Sequence, residues 1–134
     1  MFKYLEKKKI YLVYIPLSIY WISLFVATSV PAKSLPSVAI GDKIEHFAAF
    51  FVLSIMLTLA LLYQSKYGFL KKHFLAASLV IAALYATIDE IHQYFIPGRY
   101  CELFDWFADF TGSIIGILLI FYLLKKFGYV AGKE

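Results

Sequence analysis

Charge is scarce in this chain. Of 134 residues, 16% are Asp, Glu, Lys or Arg, against ~25% in an ordinary soluble domain. A domain this small buries too little of its surface to hide a 62% hydrophobic composition in its own core, so lipid must solvate much of it. The mean hydropathy of +0.75 agrees. The hydrophobic excess also excludes a disordered chain. A single cysteine, Cys101, excludes a disulfide scaffold and leaves a free thiol. The chain carries no H-E-x-x-H metal motif, no G-x-S-x-G nucleophile elbow and no phosphate-binding glycine loop. No basic groove interleaved with aromatic residues is present either, so nucleic acid is not an expected partner. Repeats, low-complexity tracts and linkers are missing, and the expectation is one domain over residues 1–134.

What is present is a set of four apolar runs, at about 10–30, 44–63, 73–92 and 105–124. Ile10 to Val30 holds no charge, and ~20 helical residues cross a ~30 Å hydrocarbon core. Lys7, Lys8 and Lys9 precede it as in a signal peptide, but the run exceeds the ~7–15 residues of an h-region. It is read as an uncleaved span in which Pro16 places a kink. Gln64–Lys72 makes a short polar turn after the second run. Pro97, Gly98 and Arg99 form the hinge between the third and fourth. Strand alternation is absent, and open sheet does not survive in lipid. The expected fold is all-α, a polytopic membrane protein built as a four-transmembrane-helix bundle.

The basic residues orient it. With the N-terminus inside, Lys3, Lys7, Lys8, Lys9, Lys66, Lys71, Lys72, Lys125, Lys126 and Lys133 are cytoplasmic, while Lys33, Lys43 and Arg99 lie outside. The positive-inside rule therefore predicts N-in/C-in topology in a plasma membrane. The net charge of +4 then faces an anionic inner leaflet.

The acids follow the opposite pattern. Glu6 and Glu134 sit in the tails, but Asp42, Glu45, Asp89, Glu90, Glu102, Asp105 and Asp109 all fall on the outer side, with His46, His92 and Arg99. Helix rise puts Asp89 at ~26 Å from Lys72, Asp109 at ~24 Å from Lys125 and His46 at ~30 Å from Lys66. Three helices thus deliver polar groups to one layer. Phe74–Ile88 and Phe110–Leu124 span only ~22 Å each, so Asp89, Glu90 and Asp109 fall within the edge of the apolar slab. Ionisable groups at that depth face a bundle interior or a cavity and are functional candidates by default.

Faces sharpen the set. Asp105, Asp109, Gly112 and Gly116 share one helical stripe, with glycines that let a neighbouring helix approach closely. Asp42 and His46 share another face, and Glu90 and Gln93 a third, lined by Ala83, Ala86 and Thr87. Plainer readings stand beside these. Asp42, Glu45 and Asp105 could cap helices, and Gly112 and Gly116 are packing residues. His73 reads as a solvated flank. Tyr100, Phe104, Trp106 and Phe107 read as an interfacial belt. For Glu90, Asp109, His46 and Arg99 the alternative is a structural salt-bridge network.

The pattern resembles the VanZ-like family of small bacterial membrane proteins. The likeness rests on Asp42-Lys43 with His46 opening the second span, Glu90-x-x-Gln93 closing the third, Pro97-Gly98-Arg99, then Asp105, Gly112 and Gly116. Order, spacing and helix placement match from 42 to 116. The chain departs from the family pattern at Asp109, where Asn is usual, and after Arg99, where Tyr100, Cys101 and Glu102 replace a common Ser or Thr. The resemblance implies a cell-envelope context and an association with resistance to the glycopeptide teicoplanin.

Three functions fit such a layer. In the first, an extracytoplasmic site binds or acts on an anionic lipid-linked headgroup, a membrane lipid or a cell-wall precursor. Arg99 would take phosphate or carboxylate in its planar fork, and Lys43 would add a second positive charge. Glu90 and His46 are then the candidate general acid and base. Gln93, Asp42, Asp105 and Asp109 complete the binding set, the aspartates either orienting the histidine or holding a divalent cation such as Mg²⁺, Ca²⁺ or Zn²⁺. In the second, the protein binds or shields without chemistry. The third, a transporter with an acidic proton relay, fits least, because the inner halves of the spans are nearly devoid of polar groups. The oligomeric state is open, since the glycine stripe serves packing within or between chains.

Overall fold

The computed structural model describes residues 1–31 and 41–129. Lys33, Lys133 and Glu134, used in the charge tally, lie outside the described residues. In chain order come α1 (Phe2–Lys7), a π-helical turn (Ile10–Tyr14), α2 (Ile15–Thr28), α3 (Asp42–Tyr63), α4 (Gly68–Lys72), α5 (Phe74–Tyr94) and α6 (Leu103–Lys126). No strand occurs among the described residues. Ile10–Thr28, α3, α5 and α6 are each long and apolar enough to cross a membrane. The protein is a multi-pass all-helical membrane protein.

Local chemistry explains the departures from expectation. Pro16 has no N–H to offer Leu12, and its ring crowds that carbonyl, so the first span opens with a widened π turn instead of a simple kink. Helices α3 and α6 each begin two residues before their apolar runs. Their first turns carry Asp42, Glu45 and Asp105, which complement the helix dipole. Neither aspartate caps, however. Gly41 and Glu102 occupy the cap positions, and no side-chain cap hydrogen bond forms.

The polar turn after α3 contains the short helix α4, entered through a Gln64 side chain that both donates to and accepts from Tyr67. Helix α1 had no sequence signal. It is held by Phe2, buried against the rings of Tyr129 and Phe127 at 5.8 and 6.1 Å. The Tyr63 hydroxyl donates to the Phe2 carbonyl at 3.2 Å, and Tyr129 donates to Glu6 at 2.6 Å. Burial and that carboxylate hold the Tyr129 phenol above its ordinary pKa.

The core is organised around α3. Half of its apolar window is buried, against 11% for the first span, which stands at the periphery. Helix α6 approaches α3 most closely, because Gly112 rests on the Phe47 backbone and Gly116 on Ser54 and the Phe51 carbonyl. Small residues permit this approach where lipid offers no hydrophobic force to drive helices together. The close α3–α6 seam fixes where the acids of α6 arrive.

Candidate functional site

At the end of the bundle where α2 and α5 finish and α3 and α6 begin, the polar residues converge. The first turns of α3 supply Asp42, Lys43, Glu45 and His46, of which His46 turns inward and is buried. Asp105 and Asp109 ride the same α6 stripe as the two glycines, so the glycine seam brings them against α3. There Asp109 Oδ1 lies 3.0 Å from His46 Nδ1. Glu90, from α5, brings Oε1 to 4.0 Å from the same ring nitrogen, while its Oε2 accepts the Glu102 backbone N–H at 2.8 Å. On the other side of the ring, Asp42 Oδ1 stands 4.0 Å from Nε2. Lys43 bridges Glu102 and Asp105 at 3.0 and 2.9 Å.

A second group forms around Arg99. Gly98 adopts φ 80°, a conformation that favours glycine, and this folds the chain back after Pro97. Arg99 then donates Nε to the Val30 carbonyl at 3.0 Å and Nη2 to Ala27 at 3.1 Å. Its Nη1 reaches Gln93 Oε1 at 3.3 Å, and Gln93 in turn donates to Asp89 Oδ2 at 3.0 Å. Arg99 therefore ties the end of α5 to backbone carbonyls at and just beyond the end of α2. His92 reinforces this junction with a 2.9 Å contact to Ser29 and a stacked Phe25 ring.

Between the groups lies a cavity of about 210 Å³. Arg99, His46, Asp42, Glu45 and Asp89 supply its polar edge, and Leu24, Ala27, Ala49, Phe50 and Tyr85 most of its apolar wall. A second recess, of about 440 Å³, is lined by Glu90, Glu102, Trp106 and Cys101 among others. Three buried carboxylate oxygens have no hydrogen-bond partner among the described residues: Asp89 Oδ1, Glu90 Oε1 and Asp109 Oδ2.

All eight residues expected at the site, Asp42, Lys43, His46, Glu90, Gln93, Arg99, Asp105 and Asp109, fall at this end, in two linked groups. The two cations differ from expectation, for both Lys43 and Arg99 already have protein acceptors. The expected Glu90–Gln93 face also differs. Gln93 pairs with Asp89, and Thr87 is exposed, accepting the Trp106 indole N–H at 3.0 Å. His73 is exposed, as a flank should be. Asp89, nominated by its depth but not assigned to the binding set, and Glu45, expected as a possible cap, also line the cavity, together with Tyr85, which had no sequence signal. The signal for Asp89 was available, because Ser78, Ala82, Ala86, Asp89 and Gln93 are spaced +4, +4, +3, +4 and form one small-and-polar buried stripe.

A family model described as VanZ/LLP1 matches residues 4–125. No curated protein and no solved structure matches the chain.

Proposed function

The chain belongs to the VanZ/LLP1 family, and from that premise we propose that it binds an anionic, lipid-linked envelope headgroup at its polar end. The observation that carries this reading is the 210 Å³ cavity, with a guanidinium and an imidazole at its edge and an apolar wall on α2, α3 and α5. Phosphate suits the Arg99 fork, since the three hydrogen bonds Arg99 makes leave N–H donors on Nη1 and Nη2 for a ligand. The apolar wall suits the first carbons of a lipid. His46 lines the cavity and Glu90, 4.0 Å from its ring, lines the neighbouring recess; these are the candidate groups for chemistry if turnover follows binding.

In this reading the polar end faces outward from a bacterial plasma membrane, both termini are cytoplasmic, and the family's association with teicoplanin resistance supplies the context. A purely binding or shielding role is favoured by one observation: Arg99 and Lys43 are anchored by the protein itself, as suits a rigid receptor.

Binding is tested with the purified full chain in nanodiscs or detergent, comparing phosphatidylglycerol with phosphatidylcholine by native mass spectrometry. Preference for the anionic lipid, reduced by Arg99→Ala, supports the reading. Equal binding of both lipids, or a preference that Arg99→Ala leaves intact, overturns it. Turnover is tested separately: Glu90→Gln and His46→Ala should abolish product formation while lipid binding persists. The exposed thiol of Cys101 reports orientation. An impermeant maleimide should label it on intact cells, and protection there with labelling after lysis would reverse the topology.

A further inference from the structure

His46, Glu90 and Asp109 come from three different helices, and one donor atom from each lies within 4.8 Å of the other two. All three are buried: the side chains of Glu90 and Asp109 are 5% and 0% exposed, and that of His46 8%. Two buried carboxylates are costly unless a cation compensates them. Among the described residues no lysine or arginine comes within 4.0 Å of either one, and their ion-pair partner is His46. Lys43 is occupied by Glu102 and Asp105, and Arg99 by backbone carbonyls and Gln93. Each carboxylate also keeps one oxygen, Glu90 Oε1 and Asp109 Oδ2, with no hydrogen-bond partner although fully enclosed.

We propose that His46, Glu90 and Asp109 are ligands of one divalent transition-metal cation, of which Zn²⁺ is representative. The geometry supports a metal centre. Ligand atoms ~2.1 Å from a common ion stand ~3.0–3.4 Å apart. The observed separations from His46 Nδ1 are 3.0 Å to Asp109 and 4.0 Å to Glu90, so small side-chain rotations close the set. Nδ1 is the ring nitrogen turned to the carboxylates. Nε2 lies 4.0 Å from Asp42 Oδ1, so a side-chain rotation would let this carboxylate orient a metal-bound imidazole through its other nitrogen. The Glu102 backbone N–H holds Glu90 Oε2 and leaves Oε1 directed at the ring. One imidazole with two carboxylates selects a borderline ion over Mg²⁺ or Ca²⁺, and the two carboxylates cancel its charge. His46 borders the 210 Å³ cavity and Glu90 the 440 Å³ recess, which provide entry paths and room for further ligands. The ion site stands without the headgroup reading, and its test uses metal alone.

The full-length protein, solubilised in detergent and stripped with a chelator, is titrated with Zn²⁺ by calorimetry. The expected result is one ion per chain, with affinity lowered at least tenfold by each of His46→Ala, Glu90→Gln and Asp109→Asn. Glu6→Gln, an acid at the opposite end bonded to Tyr129, should change it less than twofold. Absence of stoichiometric binding, or equal weakening by Glu6→Gln, overturns the site. A variant that fails to fold does not rescue the idea. Zn-edge X-ray absorption on the loaded wild-type protein should show a single imidazole among oxygen ligands, and a spectrum without imidazole scattering refutes the assignment.

Discussion

Gly112→Ala tests the seam on which the site depends. A Cβ there would overlap the carbonyl oxygen of Phe47 and stand 3.1 Å from its carbonyl carbon and 3.2 Å from its Cα. All three are backbone atoms, so no side-chain rotation relieves the clash. Restoring ordinary contact parts α3 from α6 by roughly 1 Å, and overpacking of this kind costs about 1–3 kcal/mol. Asp109 sits three residues away, ~4.5 Å along the helix axis, and shares the separation. Its 3.0 Å contact with His46 would lengthen to ~4 Å, beyond hydrogen-bond range. Losing a bond to a charged group adds about 1.5–3 kcal/mol.

Against this, alanine is the better helix former by about 1 kcal/mol. The net expectation is a loss of about 1.5–5 kcal/mol, a fall in Tm on the order of ten degrees. Thermal unfolding in detergent measures it, with Gly68→Ala as control because a Cβ there meets nothing within 4 Å. The signs are opposed, which makes the assay decisive. If the seam is not tight, propensity alone would make Gly112→Ala as stable as wild type or more so, and the packing argument fails.

Arg99→Lys keeps the charge but cannot reach Val30, Ala27 and Gln93 together; stability should fall by about 1–2 kcal/mol in chemical unfolding, and no change would mean the α2–α5 junction is held otherwise. Asp89→Asn preserves an acceptor for Gln93 and removes a buried carboxylate with one unpartnered oxygen, so thermal stability should hold or rise by about 1 kcal/mol. A clear drop would reveal a partner for Asp89. Tyr129→Phe deletes the hydrogen bond to Glu6 at the opposite end and should cost about 1 kcal/mol in the same assay while leaving lipid and Zn²⁺ affinity unchanged.

Much of this organisation is present in the linear chain because lipid imposes strict rules. Four apolar runs of spanning length leave helices as the available solution, and the acids could be placed at one end by counting helical rise from the lysines. Asp89, Glu90 and Asp109 could be nominated because charge at membrane depth is too costly to be casual. The Asp105–Asp109–Gly112–Gly116 stripe even indicated which face of α6 meets another helix. Which helix it meets is a tertiary matter. That α3 is the partner, and that Gly112 rests on Phe47 and not on a residue of α5, sets the His46–Asp109 distance, and periodicity carries no information on pairing. The same holds for Arg99. Its sequence context marked a cation at a turn, but only folding brings it beneath carbonyls some seventy residues away, at and just beyond the end of α2. Orphaned oxygens are likewise a property of three helices packed together, since whether a carboxylate finds a partner depends on what every neighbouring helix presents to it.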